Sequence, residues 1–493
     1  PYDMIQPTTK EFIIPSRCRD CDECERETYY YNEDKMTVYD YTHVFTFPND
    51  DDDYEYMIKG QSGCSEILAT GILKRHGTNL DIWILGDPGS ADSTDFTGLY
   101  ETRAAYEEYL LSTRSGVIKD NVDFIMLLGD NAYGFYREKE TNTFCNQVSS
   151  EIACDGCASD GSDYAHQEGL FKPLKDILKY LAIWPAIGNH EVDYKLEDFQ
   201  GDLQDSFNDF KDIFPFIPDD KGYYSYDYGD AHFICLNSEI ADNLFSDGIN
   251  DMKNWLETDL LANTNAAWTI VYFHHPIYSA GPKNGRNTLI PNDIEGDMQL
   301  MIDNIAPVLD SFDVDLVLTG HNHVYERSFL VDGHYNIDNS NLPNFDPTDS
   351  TMLIDDGCDG CLADYNTNDN GFEYNQFESN FTKMDKGTVY AVLGSSSKIQ
   401  NPDEYNYNFF EHPMMRPFRS PSGQDMGRGL LEQGSMHLSI VDNVLTAEFI
   451  AVDTMSNHVV LDKFTITKNT CEPEAYFDYD ITDDYIVSFT SKS

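Results

Sequence analysis

Short apolar runs recur along the chain, and each stops at a side chain able to bind a metal ion. Ile82-Trp83-Ile84-Leu85 runs into Gly86-Asp87-Pro88-Gly89, and Phe124 to Leu128 into Gly129-Asp130-Asn131 with Tyr133 just beyond. Ile183-Trp184-Pro185-Ala186-Ile187 runs into Gly188-Asn189-His190-Glu191. Trp268 to Phe273 ends at His274-His275-Pro276, and Val314 to Leu318 leads to Gly320-His321-Asn322-His323. A brief continuous apolar run bounded by turn residues reads as a buried strand. In an open α/β sheet, ligands sit just beyond the carboxyl ends of strands. Taken singly, each ending is an ordinary loop Asp or a satisfied His. Together they share no such reading.

Between these runs the pattern changes period. Tyr100 to Leu111 has helical spacing, with Ala104, Tyr106, Tyr109 and Leu110 as its apolar face. Helices are also expected near Gln167 to Leu181, Met252 to Leu261 and Met298 to Leu309. Tyr223 to Tyr228 alternates as a strand, and Gly229-Asp230 reads as a hairpin turn into His232 to Leu236. Strand-helix alternation followed by antiparallel strands predicts an α/β fold of two mixed sheets packed as a sandwich and flanked by helices.

Three regions are expected. Residues 1–77 form an N-terminal extension with a Cys cluster and one or two irregular strands. Residues 78–468 form the catalytic domain, with insertions near 140–165, 332–385 and 400–433. Residues 469–493 are an acidic tail, stapled back through Cys471 or offered as a strand to another chain.

The order Asp-x-Gly, Gly-Asp-x-x-Tyr, Gly-Asn-His-Glu, Val-x-x-His, Gly-His-x-His, running from Asp87 to His323, resembles the purple acid phosphatases, a branch of the calcineurin-like metallophosphoesterases. Tyr133 is the residue that separates that branch from the wider superfamily. The resemblance implies that Asp87, Tyr133 and His323 hold one metal, that Asn189, His274 and His321 hold another, and that Asp130 bridges. Carboxylate and phenolate suit Fe(III). Imidazoles and an amide oxygen suit a divalent Zn, Mn or Fe. It also implies that Asn189 and His190 meet the substrate phosphate, with His190 catalytic. Relatives carry another His soon after the Val-x-x-His block. The stretch from Tyr278 to Arg286 has none, so Lys283 and Arg286 become the phosphate-binding candidates there. His275 reads as a supporting or packing residue, and Glu326 and Arg327 as structural pairing partners.

Composition sets bounds on this reading. The 493 residues are 41% hydrophobic and globular in character, with 87 acidic against 32 basic residues and a net charge of −55. Such a charge argues against nucleic acid and anionic lipid as partners. It suits salty water, or a calcium-loaded surface at Asp50 to Asp53 and Asp355 to Asp369. No apolar run approaches the roughly 18 residues of a membrane span. Eleven Cys fit an oxidising compartment, with disulfides favoured over a zinc site built from the two Cys-Asp-Gly-Cys stretches. Cys235 reads as a buried free thiol. Pro1 reads as a processed N-terminus, and Asn380-Phe381-Thr382 as a glycosylation sequon in a polar loop. The function implied is a secreted dinuclear acid phosphatase that hydrolyses phosphate monoesters by attack of a metal-activated hydroxide. A phosphodiesterase or nucleotide pyrophosphatase on the same site is one alternative. A structural extracellular protein retaining the fold is the other. The partners expected are small phosphorylated substrates, with a homo-oligomer or extracellular assembly also compatible with the chain.

Overall fold

The computed structural model describes residues 79–89, 98–114, 116–133, 165–192, 210–218, 221–240, 248–279, 297–333, 386–399, 429–453 and 457–468. It also describes Lys383, Met415 and Phe418, and the backbone of some further segments. The strands that build the two large sheets are, in chain order, β1 (Leu80–Leu85), β2 (Phe124–Leu127), β3 (Ala182–Pro185), β4 (Tyr224–Tyr228) and β5 (Ala231–Cys235). They continue with β6 (Trp268–Phe273), β7 (Leu316–Thr319), β8 (Tyr325–Val331), β9 (Leu353–Asp355) and β10 (Glu378–Lys383). The last are β11 (Thr388–Leu393), β12 (Gly434–Val441), β13 (Val444–Val452) and β14 (His458–Lys468).

One seven-stranded sheet has the order β10-β14-β13-β12-β1-β2-β3, and the other β4-β5-β6-β7-β11-β8-β9. Within the first, β1, β2 and β3 are parallel. Within the second, β5, β6, β7 and β11 are parallel. Every side chain of β2 and β7 is buried, as expected for parallel strands covered on both faces. The architecture is therefore the two-sheet α/β sandwich that the sequence predicts.

Aromatic side chains fill the space between the sheets. Phe124 of β2 packs edge-on to Tyr228 at 5.1 Å and to Phe233 at 5.4 Å, and Tyr325 of β8 stacks on Phe449 of β13 at 4.1 Å. Arg327 of β8 is fully buried and meets Asp462 of β14 through Nε–Oδ2 at 2.7 Å and Nη2–Oδ1 at 3.1 Å. The Tyr325 hydroxyl donates to the same Oδ2 at 2.7 Å. The pairing expected of Arg327 is thus with the facing sheet. Glu326 instead accepts from Ser279 Oγ at 2.8 Å.

Several expectations shift. The helix Gly98–Thr113 begins two residues early, and its buried stripe is Leu99, Thr102, Ala105, Tyr106, Tyr109 and Leu110. Ala104 is exposed, since five residues past Leu99 a 3.6-residue period has turned away from the core. Its Tyr106 stacks flat on Trp83 at 4.6 Å. The helix near Met298 to Leu309 divides into Gly296–Asn304 and Ala306–Ser311, with Pro307 opening the second. The N-terminal stretch holds four strands where one or two were expected, paired as Thr8–Pro15 with Lys35–Thr42 and Tyr54–Lys59 with Ile67–Leu73. The insertion near 332–385 contributes β9 and β10 to the two sheets, so Asn380 lies in an edge strand rather than a loop. The tail forms a hairpin of Phe477–Ile481 with Val487–Ser491. Cys235 is a buried free thiol, as expected. The side chains of the other cysteines, of Lys283 and Arg286, and of the acidic runs proposed for calcium lie outside the described residues.

Candidate metal centre

The carboxyl ends of β1, β2 and β3 from one sheet meet those of β6 and β7 from the other. Asp87, Asp130 and His321 all take left-handed backbone conformations, with φ of 52°, 50° and 68°. Few non-glycine residues do so, Asp, Asn and His most often among them, and three such turns gathered at one place mark a functional site. Gly129, at φ 89°, has a second reason to be glycine: a Cβ there would lie 2.6 Å from His274 Nδ1. The tight turns aim the polar side chains inward.

Two groups of donors result, sharing Asp130. In the first, the Tyr133 hydroxyl lies 2.9 Å from Asp87 Oδ2, 2.8 Å from Asp130 Oδ2 and 3.2 Å from His323 Nε2. His323 Nε2 is also 3.1 Å from Asp87 Oδ2. In the second, His274 Nε2 lies 3.0 Å from Asn189 Oδ1, 3.2 Å from His321 Nδ1 and 3.3 Å from Asp130 Oδ1. Asn189 Oδ1 and His321 Nδ1 are 3.1 Å apart. Asp130 gives one oxygen to each group.

The donor chemistry fits a pair of cations. His274 Nδ1 donates to the Leu128 carbonyl at 2.9 Å, which leaves Nε2 a bare lone pair in the neutral ring. That lone pair faces an amide oxygen and a carboxylate oxygen. In the first group two carboxylate oxygens and an imidazole nitrogen all lie within 3.2 Å of the Tyr133 hydroxyl. Burial opposes charge on His274, yet Asp130 outweighs it and pushes the imidazole up to about 10. Burial, then the Asp130 and Asp87 carboxylates, holds the Tyr133 phenol well above its ordinary value. Both shifts report negative potential that a proton satisfies and a metal ion satisfies better. Asp87, Asp130 and His323 offer ligand atoms all within 4.8 Å of one another.

The remaining candidates surround this centre. His190 donates its backbone N–H to Asp130 Oδ1 at 3.0 Å, and its Nε2 lies 3.8 Å from Asp130 Oδ2. Its ring packs 4.3 Å from that of Tyr133 and keeps a 15% exposed side chain. His275 pairs with Glu239 at 2.8 Å, and its ring lies 4.0 Å from that of His321, as a supporting residue should.

Sequence reasoning gave no role to Glu191, which accepts backbone N–H groups from Asn131 at 2.7 Å, Ala132 at 3.1 Å and Gly188 at 2.7 Å. It clamps the Asp130 turn to the Asn189 turn. A buried Glu ending the Gly-Asn-His-Glu block was the available signal. Ser396, Ser397 and Lys398 were missed because the loop after β11 carries no pattern readable alone.

Residues 80–325 match the model of the calcineurin-like phosphoesterase family. The chain is 26% identical over 228 residues to purple acid phosphatase 15 of Arabidopsis thaliana, covering 44% of this chain and 38% of that protein. It is 28% identical over 200 residues to acid phosphatase type 7 of Homo sapiens, covering 39% and 42%. The chain thus spans about two fifths of the length of such curated relatives. In structure it resembles a purple acid phosphatase from yellow lupin (Lupinus luteus) seeds, with a TM-score of 0.50 and 16% identity, covering 85% of this chain and 60% of that one. It also resembles PhoD, with a TM-score of 0.51 and 12% identity, covering 88% and 80%. At these identities the structural likeness shows the fold.

Proposed function

Because residues 80–325 form a calcineurin-like phosphoesterase domain, we propose that this chain is a dinuclear-metal acid phosphatase acting on phosphate monoesters. Asp87, Tyr133 and His323 would hold Fe(III); Asn189, His274 and His321 would hold a divalent Zn, Mn or Fe; Asp130 would bridge. The observation that carries the reading is the division of the Asp130 carboxylate, Oδ2 at 2.8 Å from Tyr133 and Oδ1 at 3.3 Å from His274. When bound, such a pair supplies Lewis-acid stabilisation of the phosphoryl oxygens and a water acidic enough to react below neutrality.

The chain's own groups do the rest. Asn189 and His190 face a phosphoryl group from the turn after β3. His190 is part-exposed and beside the bridging carboxylate, which suits donation of a hydrogen bond to phosphate or a proton to the leaving oxygen. The eleven cysteines support an extracellular location, and no helix among the described residues is long and apolar enough to cross a membrane.

The test is elemental analysis and a visible spectrum of the purified protein, followed by assay on aryl phosphate mono- and diesters at acidic pH. Two ions per chain, a phenolate-to-iron band and preference for the monoester are expected. A colourless, metal-free and inactive preparation would overturn the proposal. Preference for the diester would move the function to phosphodiesterase.

A further inference from the structure

Lys398 places its Nζ 3.4 Å from the centroid of the Tyr133 ring. The loop that carries it is tied to the first metal-binding turn by a run of serines. Ser397 Oγ donates to the Asp87 carbonyl at 2.6 Å. Gly86 N–H donates to Ser396 Oγ at 3.1 Å, and Ser396 N–H donates back to the Gly86 carbonyl at 3.0 Å. The Ser396 carbonyl also accepts from Thr102 Oγ1 at 2.6 Å. Ser395 and Ser396 are fully buried, and Ser397 nearly so. The backbone carrying Lys398 is therefore fixed against the same turn that presents Asp87.

A cation over an aromatic face is attracted by the electron density of the ring. A phenolate has more density than a phenol, so the attraction grows when the Tyr133 oxygen is a metal ligand. The cation in turn draws density away from the oxygen and weakens it as a donor. We propose that Lys398 is a positioning residue acting through Tyr133: it holds the ring at the first metal group and sets how strongly the phenolate donates. This inference rests on the dinuclear reading of the site. It adds a control on the redox balance of the trivalent ion beyond the one its ligands supply. A weaker phenolate donor stabilises Fe(III) less, so Lys398 makes one-electron reduction of the ion easier.

The experiment compares metal-loaded wild-type protein with Lys398→Met and Lys398→Arg. Methionine removes the charge at similar length, and arginine keeps it. Lys398→Met is expected to move the phenolate-to-iron band to longer wavelength. Its equilibrium constant for reduction by ascorbate should fall about tenfold, the scale of one cation–aromatic contact. Lys398→Arg should stay close to wild type in both. Lys398→Gln gives the same reading if the methionine variant does not fold. A band and reduction constant unmoved in a fully loaded Met or Gln variant would overturn the inference while leaving the dinuclear reading intact. An equal shift in the arginine variant would also overturn it. A wild-type protein with no band would remove both.

Discussion

Tyr133 lies three positions after Asp130 and donates its phenolic O–H to that residue's Oδ2 at 2.8 Å, while the other Asp130 oxygen faces His274 across the junction of the two sheets. The two donor groups are therefore coupled through one carboxylate. Asp130→Ala is expected to lose both ions, whereas Tyr133→Phe should lose the visible band and weaken the first ion alone. Metal stoichiometry by elemental analysis separates the two. Hydrolysis should drop by on the order of 10³-fold or more in Asp130→Ala.

His190 stands at the edge of the centre, with its ring against Tyr133 and its backbone on Asp130. Its side chain is the only part removed in His190→Ala, so the ions should stay. The expected outcome is a fall in kcat of about 10²- to 10⁴-fold at unchanged metal content. The fall should be smaller for substrates with acidic leaving groups, which need no proton. A series of aryl phosphates of graded leaving-group acidity provides the measurement.

Glu191 accepts three backbone N–H groups from the turns that present Asp130 and Asn189. In Glu191→Gln one acceptor becomes an NH₂ that faces a donor. Metal affinity is expected to weaken about 10- to 100-fold, and chelator titration followed by the visible band reads it. Glu191→Asp, which keeps the charge on a shorter stem, should recover only part of the loss.

Arg327 and Asp462 are fully buried and link the two sheets. Asp462→Ala leaves a guanidinium without its counter-ion and should cost about 3–5 kcal/mol. Replacing both partners with well-packed apolar residues should cost far less. Thermal melts of the two variants make the comparison.

Asp310 gives a pH-dependent case away from the metals. Burial, and then the nearby Asp332 and Asp313, push its carboxyl up to about 7, although it accepts from Gly333 N–H at 2.8 Å. A folded-state value raised above the ordinary 3.8 means the folded form retains a proton the unfolded chain releases. The stability this group contributes is full below pH 3.8 and is lost as pH rises to about 7. Asp310→Asn resembles the protonated acid. It should raise stability by about 1–3 kcal/mol at pH 8 and change little at pH 4. Melting curves at the two pH values test the sign.

The strands that carry the site were the most legible part of the chain. β6 begins and ends where the run Trp268 to Phe273 does, because five of its six side chains are buried and only Thr269 is polar. The candidate donors were legible because each lies within six residues of such a strand's end and in a block that resembles the purple acid phosphatases. Tyr106, Tyr109 and Leu110 were placed correctly on the buried face, but the stripe continues back through Ala105 and Thr102, leaving Ala104 on the solvent side. Glu191 and Lys398 were missed for another reason. Lys398 meets an aromatic face more than two hundred positions away, and two of the three amides that Glu191 holds lie about sixty positions away, so only its place at the end of the Gly-Asn-His-Glu block pointed to it. The pairing of Arg327 with Asp462 is hidden in the same way.

The donors of the centre divide between the sheets: Asp87, Asp130, Tyr133 and Asn189 follow strands of one, and His274, His321 and His323 follow strands of the other. Loaded ions would therefore act as a cross-link between halves of the molecule as well as a reactive group. Chain durability would then be tied to metal supply, because a protein that binds ions only when folded gains resistance to unfolding from them. In metal-poor surroundings the same polypeptide would be both inert and short-lived, so that the ions set its persistence along with its rate.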